Sequence, residues 1–111
     1  KSQLKAFLWY SKAAKQNNPV ALSVLGTMYR RGDGVDKDTD RAIESYVAAA
    51  NLGDVSAMNS LFVIYSEGEG VDKDLNKAHI YLSRAAEKGD EKAQYNLGVI
   101  NEYGMGTKKE L

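Results

Sequence analysis

The sequence predicts an all-α protein built as a tandem array of helix-turn-helix repeats. An alanine–leucine–tyrosine pattern recurs with a period of 36 residues: Ala21, Leu25 and Tyr29 return as Ala57, Leu61 and Tyr65, and Ala93 and Leu97 open a third copy. The segment RGDGVDKD (31–38) returns as EGEGVDKD (67–74) and, degraded, as YGMGTKKE (103–110). Ala42, Ala49, Ala50 and Gly53 likewise match Ala78, Ala85, Ala86 and Gly89. A fixed period of this length means one supersecondary unit stacked on copies of itself, because a single unit cannot bury its own apolar face.

Each period divides into two helices. A first-type helix (A) is expected over 19–31, 55–67 and 91–103, and a second-type helix (B) over 3–16, 39–52 and 75–88. Ala21, Val24, Leu25, Met28 and Tyr29 fall on one face of an A helix; Ala42, Ile43, Tyr46, Ala49 and Ala50 do so on a B helix. No stretch alternates at period two for long enough to make a strand. Asn18, Asp54 and Asp90 stand where N-caps would open the A helices, and Asp38 and Asp74 where they would open B helices. Pro19 follows at the first helical position, where a missing N–H is harmless. Asn17, Gly53 and Gly89 close the B helices, and Gly32, Gly68 and Gly104 the A helices. Residues 1–111 thus read as one array: 1–18 as a B helix of a preceding repeat, 19–54 and 55–90 as full repeats, 91–111 as an A helix and loop of a truncated one. Its two ends, near Phe7–Trp9 and Leu97–Ile100, are expected to be partly bare.

Composition excludes several function classes. Fifteen basic residues balance fifteen acidic ones, which argues against nucleic acid or an acidic membrane surface as the main partner. The chain has no cysteine, hence no disulfide, thiolate metal site or cysteine nucleophile. No apolar run approaches the ~20 residues that span a bilayer, so membrane insertion is not expected. The chain starts at Lys1 without a signal peptide and without an N-x-S/T acceptor. It reads as a soluble piece of a longer protein, with cytoplasm and periplasm or secretion equally open.

No constellation points to catalysis or a cofactor. The GDGV and GEGV loops follow a helix, whereas a phosphate-cradling loop follows a strand. Asp33, Asp36, Asp38 and Asp40 cluster like a calcium loop, but counting from Asp36 the sixth and twelfth positions hold Arg41 and Val47 instead of Gly and Glu. Arg31-Gly32-Asp33 spells an adhesion tripeptide, yet the same positions read Glu67-Gly68-Glu69 one copy later. His79, the single histidine, shares the position of Ile43 and Phe7 and reads as a packing residue. Trp9, Tyr10, Tyr29, Tyr46, Tyr65 and Tyr81 recur at repeat spacing and read as packing between helices.

Taken together, Ala21, Leu25, Gly26, Tyr29, Gly32, Gly34, Val35, Asp38, Ala42, Tyr46, Ala49, Ala50 and Gly53 resemble the Sel-one-like repeat, a relative of the tetratricopeptide repeat. Residues 56–89 repeat the pattern, and residues 4–17 and 92–106 hold partial copies. Two positions depart from it. Phe62 replaces the glycine of Gly26 and Gly98, so its helix pair should splay or need a smaller neighbour. Asn101 replaces the tyrosine of Tyr29 and Tyr65, so the third A helix should pack less tightly.

The resemblance implies a right-handed α/α solenoid that acts as a non-enzymatic adaptor in protein complexes, with A helices lining a concave face. The residues turned away from the buried stripe would then be Ser23, Thr27, Arg30 and Arg31, then Asn59, Val63 and Glu67, then Tyr95, Val99, Glu102 and Tyr103. These positions vary between copies while the stripe repeats. A partner peptide or helix is the expected occupant. Other readings are a regulatory arm of a larger enzyme, a glycan- or cell-wall-binding module of a bacterial envelope protein, and end-to-end self-association through the bare ends.

Overall fold

The computed structural model describes residues 2–103, with side chains through residue 100. It contains six α-helices of thirteen residues each: α1 (Ser2–Ala14), α2 (Pro19–Arg31), α3 (Thr39–Asn51), α4 (Val55–Glu67), α5 (Leu75–Glu87) and α6 (Glu91–Tyr103). Among the described residues there is no strand. α1, α3 and α5 are the B helices; α2, α4 and α6 are the A helices. The three A helices begin and end where the sequence places them.

The caps explain the boundaries. Asn18 Oδ1 accepts the Ala21 N–H at 3.0 Å, and Asp38 and Asp74 accept from Arg41 and Lys77 at the same distance. Asp54 and Asp90 accept from Ala57 and Ala93 at 2.9 Å. Each satisfies a backbone donor with no partner inside its helix. Gly32, Gly53, Gly68 and Gly89 adopt the left-handed region after their helices, and Asn17, with φ 61°, does so without glycine. Gly104 lies outside the described residues.

The chain forms two compact units, Lys1–Ala57 and Met58–Leu111. In the first, Ala14, Ala21 and Leu25 form a buried cluster flanked by Phe7, Ala13 and Leu22. The Phe7 ring meets Tyr29 edge-on, centroids 5.5 Å apart. Tyr46 is completely buried, and its ring lies so close to α2 that a Cβ at Gly26 would sit 2.7 Å from it. Glycine at position 26 is therefore a condition of seating Tyr46. Gly34 is needed for two reasons: its φ is +75°, and an added Cβ would overlap the backbone of Gln3. The loop after α2 thus runs directly against the start of α1.

The second unit solves the same packing with different residues. Position 82, one period after Tyr46, holds Leu82, buried completely. The aromatic expected to continue the Tyr46 series, Tyr81, stands one residue earlier. It stacks on Tyr65 at 6.3 Å with the rings nearly parallel, and the Arg84 guanidinium lies 5.5 Å from its centroid. Where the first unit has Gly26 and Tyr46, the matching positions of the second hold Phe62 and Leu82. Leu61 and Ile64 are fully buried, whereas Leu97 and Ile100, in the same positions of α6, are half-buried. At the other end Leu8, Trp9 and Tyr10 are exposed and Phe7 is half-buried. Asn101 lies outside the residues whose side chains are described.

Candidate functional site

Several residues expected to face a partner are engaged in joining helices. Ser23 is only 8% exposed, contrary to the expectation that it points away from the buried stripe. Its Oγ lies 3.0 Å from Ser56 Oγ, and Ser56 Oγ donates to Asp54 Oδ2 at 2.7 Å. A hydroxyl has one proton, so Ser23 is the donor to Ser56. The relay Ser23–Ser56–Asp54 ties α2 to the capping carboxylate of α4. Asn59, one period after Ser23, does the same for α6: its Nδ2 donates to the cap Asp90 Oδ2 at 3.3 Å. The physical reason is common to both. The cap at the start of each A helix is a fixed acceptor, and the preceding A helix carries the side chain that reaches it.

Thr27 is similarly occupied. Its hydroxyl donates to the Ser23 carbonyl at 3.3 Å and lies 2.7 Å from the Tyr46 hydroxyl. With its proton spent on Ser23, Thr27 accepts from Tyr46. The buried phenol thereby has the partner it needs inside an apolar core.

Arg31, Glu67 and Tyr95 are exposed; Arg30, Val63 and Val99 are half-buried. The side chains of Glu102 and Tyr103 lie outside the described residues. Tyr95 is 73% exposed and lines a shallow depression of about 340 Å³ with Glu91, Lys92 and Asn96.

A concavity of about 380 Å³ lies in the second unit. Phe62 and Ser66 of α4, Lys73 of the loop, Leu75, Ala78 and His79 of α5, and Asn96, Val99 and Ile100 of α6 line it. Its wall is mainly apolar, with Ser66, Asn96, His79 and Lys73 as polar points. Of these residues the sequence assigns Val99 to the partner face and His79 to packing, and marks Phe62 as a departure from glycine. A signal for Phe62 and His79 was available: both depart from the small or aliphatic residue of the first repeat, Gly26 and Ile43. Asn96 lines both the cavity and the depression beneath Tyr95, so the two adjoin.

The Sel1 repeat family model matches residues 1–18, 19–54, 55–90 and 91–110. Among solved structures the chain is similar to a protective antigen of uropathogenic Escherichia coli strains displaying an SLR fold, at 35% identity and a TM-score of 0.87 over 96% of this chain and 23% of that one. It is also similar to a Sel1 repeat protein from Oxalobacter formigenes, at 34% identity and a TM-score of 0.79 over 86% of this chain and 39% of that one. A third is Helicobacter pylori cysteine rich protein B, at 31% identity and a TM-score of 0.77 over 82% of this chain and 68% of that one. The chain thus spans about a quarter of the length of the first of these relatives.

Proposed function

The chain belongs to the Sel1 repeat family, and from that premise we propose that it is a non-enzymatic interaction scaffold that holds a partner peptide or helix against the A helices. Sel1 repeats are in general protein-interaction scaffolds. No helix among the described residues is long and apolar enough to cross a membrane.

The observation that carries the reading is the cavity between α4, α5 and α6. At about 380 Å³ it has the size of sites that enclose an organic group, with an apolar wall and few polar points. The expected guest is one large apolar side chain of a partner segment, with the polar residues at the wall meeting its backbone. From there the segment crosses Asn96 and lies along Tyr95, an aromatic of the kind enriched among binding hot spots. Glu67, Val63 and Val99 belong to the same docking face of this unit. On the first unit Arg30 and Arg31 of α2 are the corresponding candidates; Ser23 and Thr27 support the stack instead.

Panning a peptide library against the chain should enrich segments with a single bulky apolar anchor. Ser66→Trp, which fills the cavity, should weaken the selected peptides at least tenfold with an unchanged melting temperature, and Tyr95→Ala should weaken them less. Undiminished affinity for Ser66→Trp would remove the cavity from the binding site. Binding of sugars in place of peptides, lost with Tyr95→Ala, would favour a glycan-binding module.

A further inference from the structure

We propose that the Asp33–Gly34 peptide bond is a site of spontaneous aspartate isomerisation, and that the product unseats the loop after α2 from the start of α1. This joint lies inside the array and is separate from the peptide site.

The sequence singles out the pair. Asp33 is the one aspartate followed by glycine. Isomerisation begins when the backbone nitrogen of the next residue attacks the aspartate Cγ, and a side chain on that next residue obstructs the approach. Glycine obstructs it least and gives the backbone the most freedom to bring the two atoms together.

The fold separates Asp33 from the other aspartates. Asp38, Asp54, Asp74 and Asp90 hold helix N–H groups with their carboxylates. Asp40 lies inside α3. Asp36 and Asp72 stand in loops, but each is followed by lysine. Asp33 comes just after the left-handed Gly32 that closes α2, outside any helix. It and Gly34 are half-buried, so water reaches them.

The atoms balance with water as the only co-reactant. The Gly34 nitrogen bonds to Asp33 Cγ, and its proton leaves with the Cγ hydroxyl as water, closing a five-membered succinimide. Water then adds to the main-chain carbonyl of residue 33, and the bond from that carbonyl to the Gly34 nitrogen breaks. The chain now runs through Cβ and Cγ, one atom longer than before, and the former main-chain carbonyl is a free carboxylate.

The loop has no room for that atom. At one end the Gly32 and Asp33 N–H groups donate to Met28 O at 2.8 and 2.9 Å; at the other the Asp38 N–H donates to Tyr29 O at 2.9 Å. Between these anchors Gly34 has φ +75°, and a single added Cβ would already overlap the Gln3 backbone. A lengthened main chain must therefore lift away from α1.

The second repeat supplies an unreactive counterpart of the same shape. Gly70 has φ 74°, and the Glu69 N–H donates to Ile64 O at 3.0 Å. The extra methylene of Glu69 would require a six-membered ring, which closes far more slowly.

Storage of the folded chain at neutral pH and body temperature for several weeks tests the proposal. Isomerisation leaves the mass unchanged, so peptide maps are read by electron-transfer fragmentation, which distinguishes isoaspartate from aspartate. Isoaspartate should accumulate at residue 33 and clearly less at every other aspartate. Asp33→Glu, which borrows the residue of the second repeat, should abolish it at an unchanged melting temperature. In the converted chain, hydrogen exchange at the start of α1 should quicken about tenfold, while α5 keeps its rate. An intact Asp33 in the folded chain, under conditions that convert a free peptide of residues 28–38, would overturn the proposal. So would equal conversion at Asp36, or a converted chain in which the start of α1 exchanges at its original rate.

Discussion

Tyr46 shows how one side chain sets its neighbours. Burying a phenol is favourable only when its hydroxyl finds a partner, and Thr27 supplies one at 2.7 Å. Burying its ring needs space, and Gly26 supplies that by having no Cβ. Tyr46→Phe should therefore cost about 1 kcal/mol in urea unfolding, and Gly26→Ala about 1–3 kcal/mol from overpacking. Gly26→Phe alone should unfold the first unit, while Gly26→Phe with Tyr46→Leu should recover part of the loss, since the second unit lives with Phe62 and Leu82. A double variant no more stable than Gly26→Phe would contradict the pairing. The departure of Phe62 from Gly26 was legible in the sequence, and the residue one period after Tyr46 is Leu82. That equivalence was obscured because Tyr81, adjacent to Leu82, matches Tyr46 in chemistry but sits one position out of register.

At the scale of elements, the capping residues fix where helices start. Asp38→Ala and Asp74→Ala should each lower stability by about 1 kcal/mol, while Asp36→Ala, two residues before the cap in the same acidic cluster, should change it little. Equal losses at Asp36 and Asp38 would show that charge, and not capping, holds the loop. All five caps were readable beforehand, because Asn or Asp before an apolar helical stripe has few other roles. The relays that reach those caps were not readable. Ser23 and Asn59 differ in side chain but perform one task, so their variation between copies looked like the variation of a ligand-facing surface. Burial alone separates the two cases: Ser23 is covered, and Asn59 spends its amide on Asp90.

At the scale of the whole molecule, equivalent positions of the repeats differ in burial. Leu61 is fully buried and Leu97 half-buried in equivalent places. Leu61→Ala should cost about 2–5 kcal/mol and Leu97→Ala clearly less; similar losses in denaturant melts would mean that burial does not set the ranking. Stacking was legible from one sequence because the period multiplies each weak signal. The concavity in the second unit was not, because its lining comes from α4, the loop, α5 and α6, which only the fold brings together. The measurement that tests the scaffold reading most directly is the affinity of a panned peptide for the wild-type chain against Ser66→Trp, by calorimetry, with melting temperatures recorded for both. The account predicts a loss of at least tenfold at equal stability; equal affinities would contradict it.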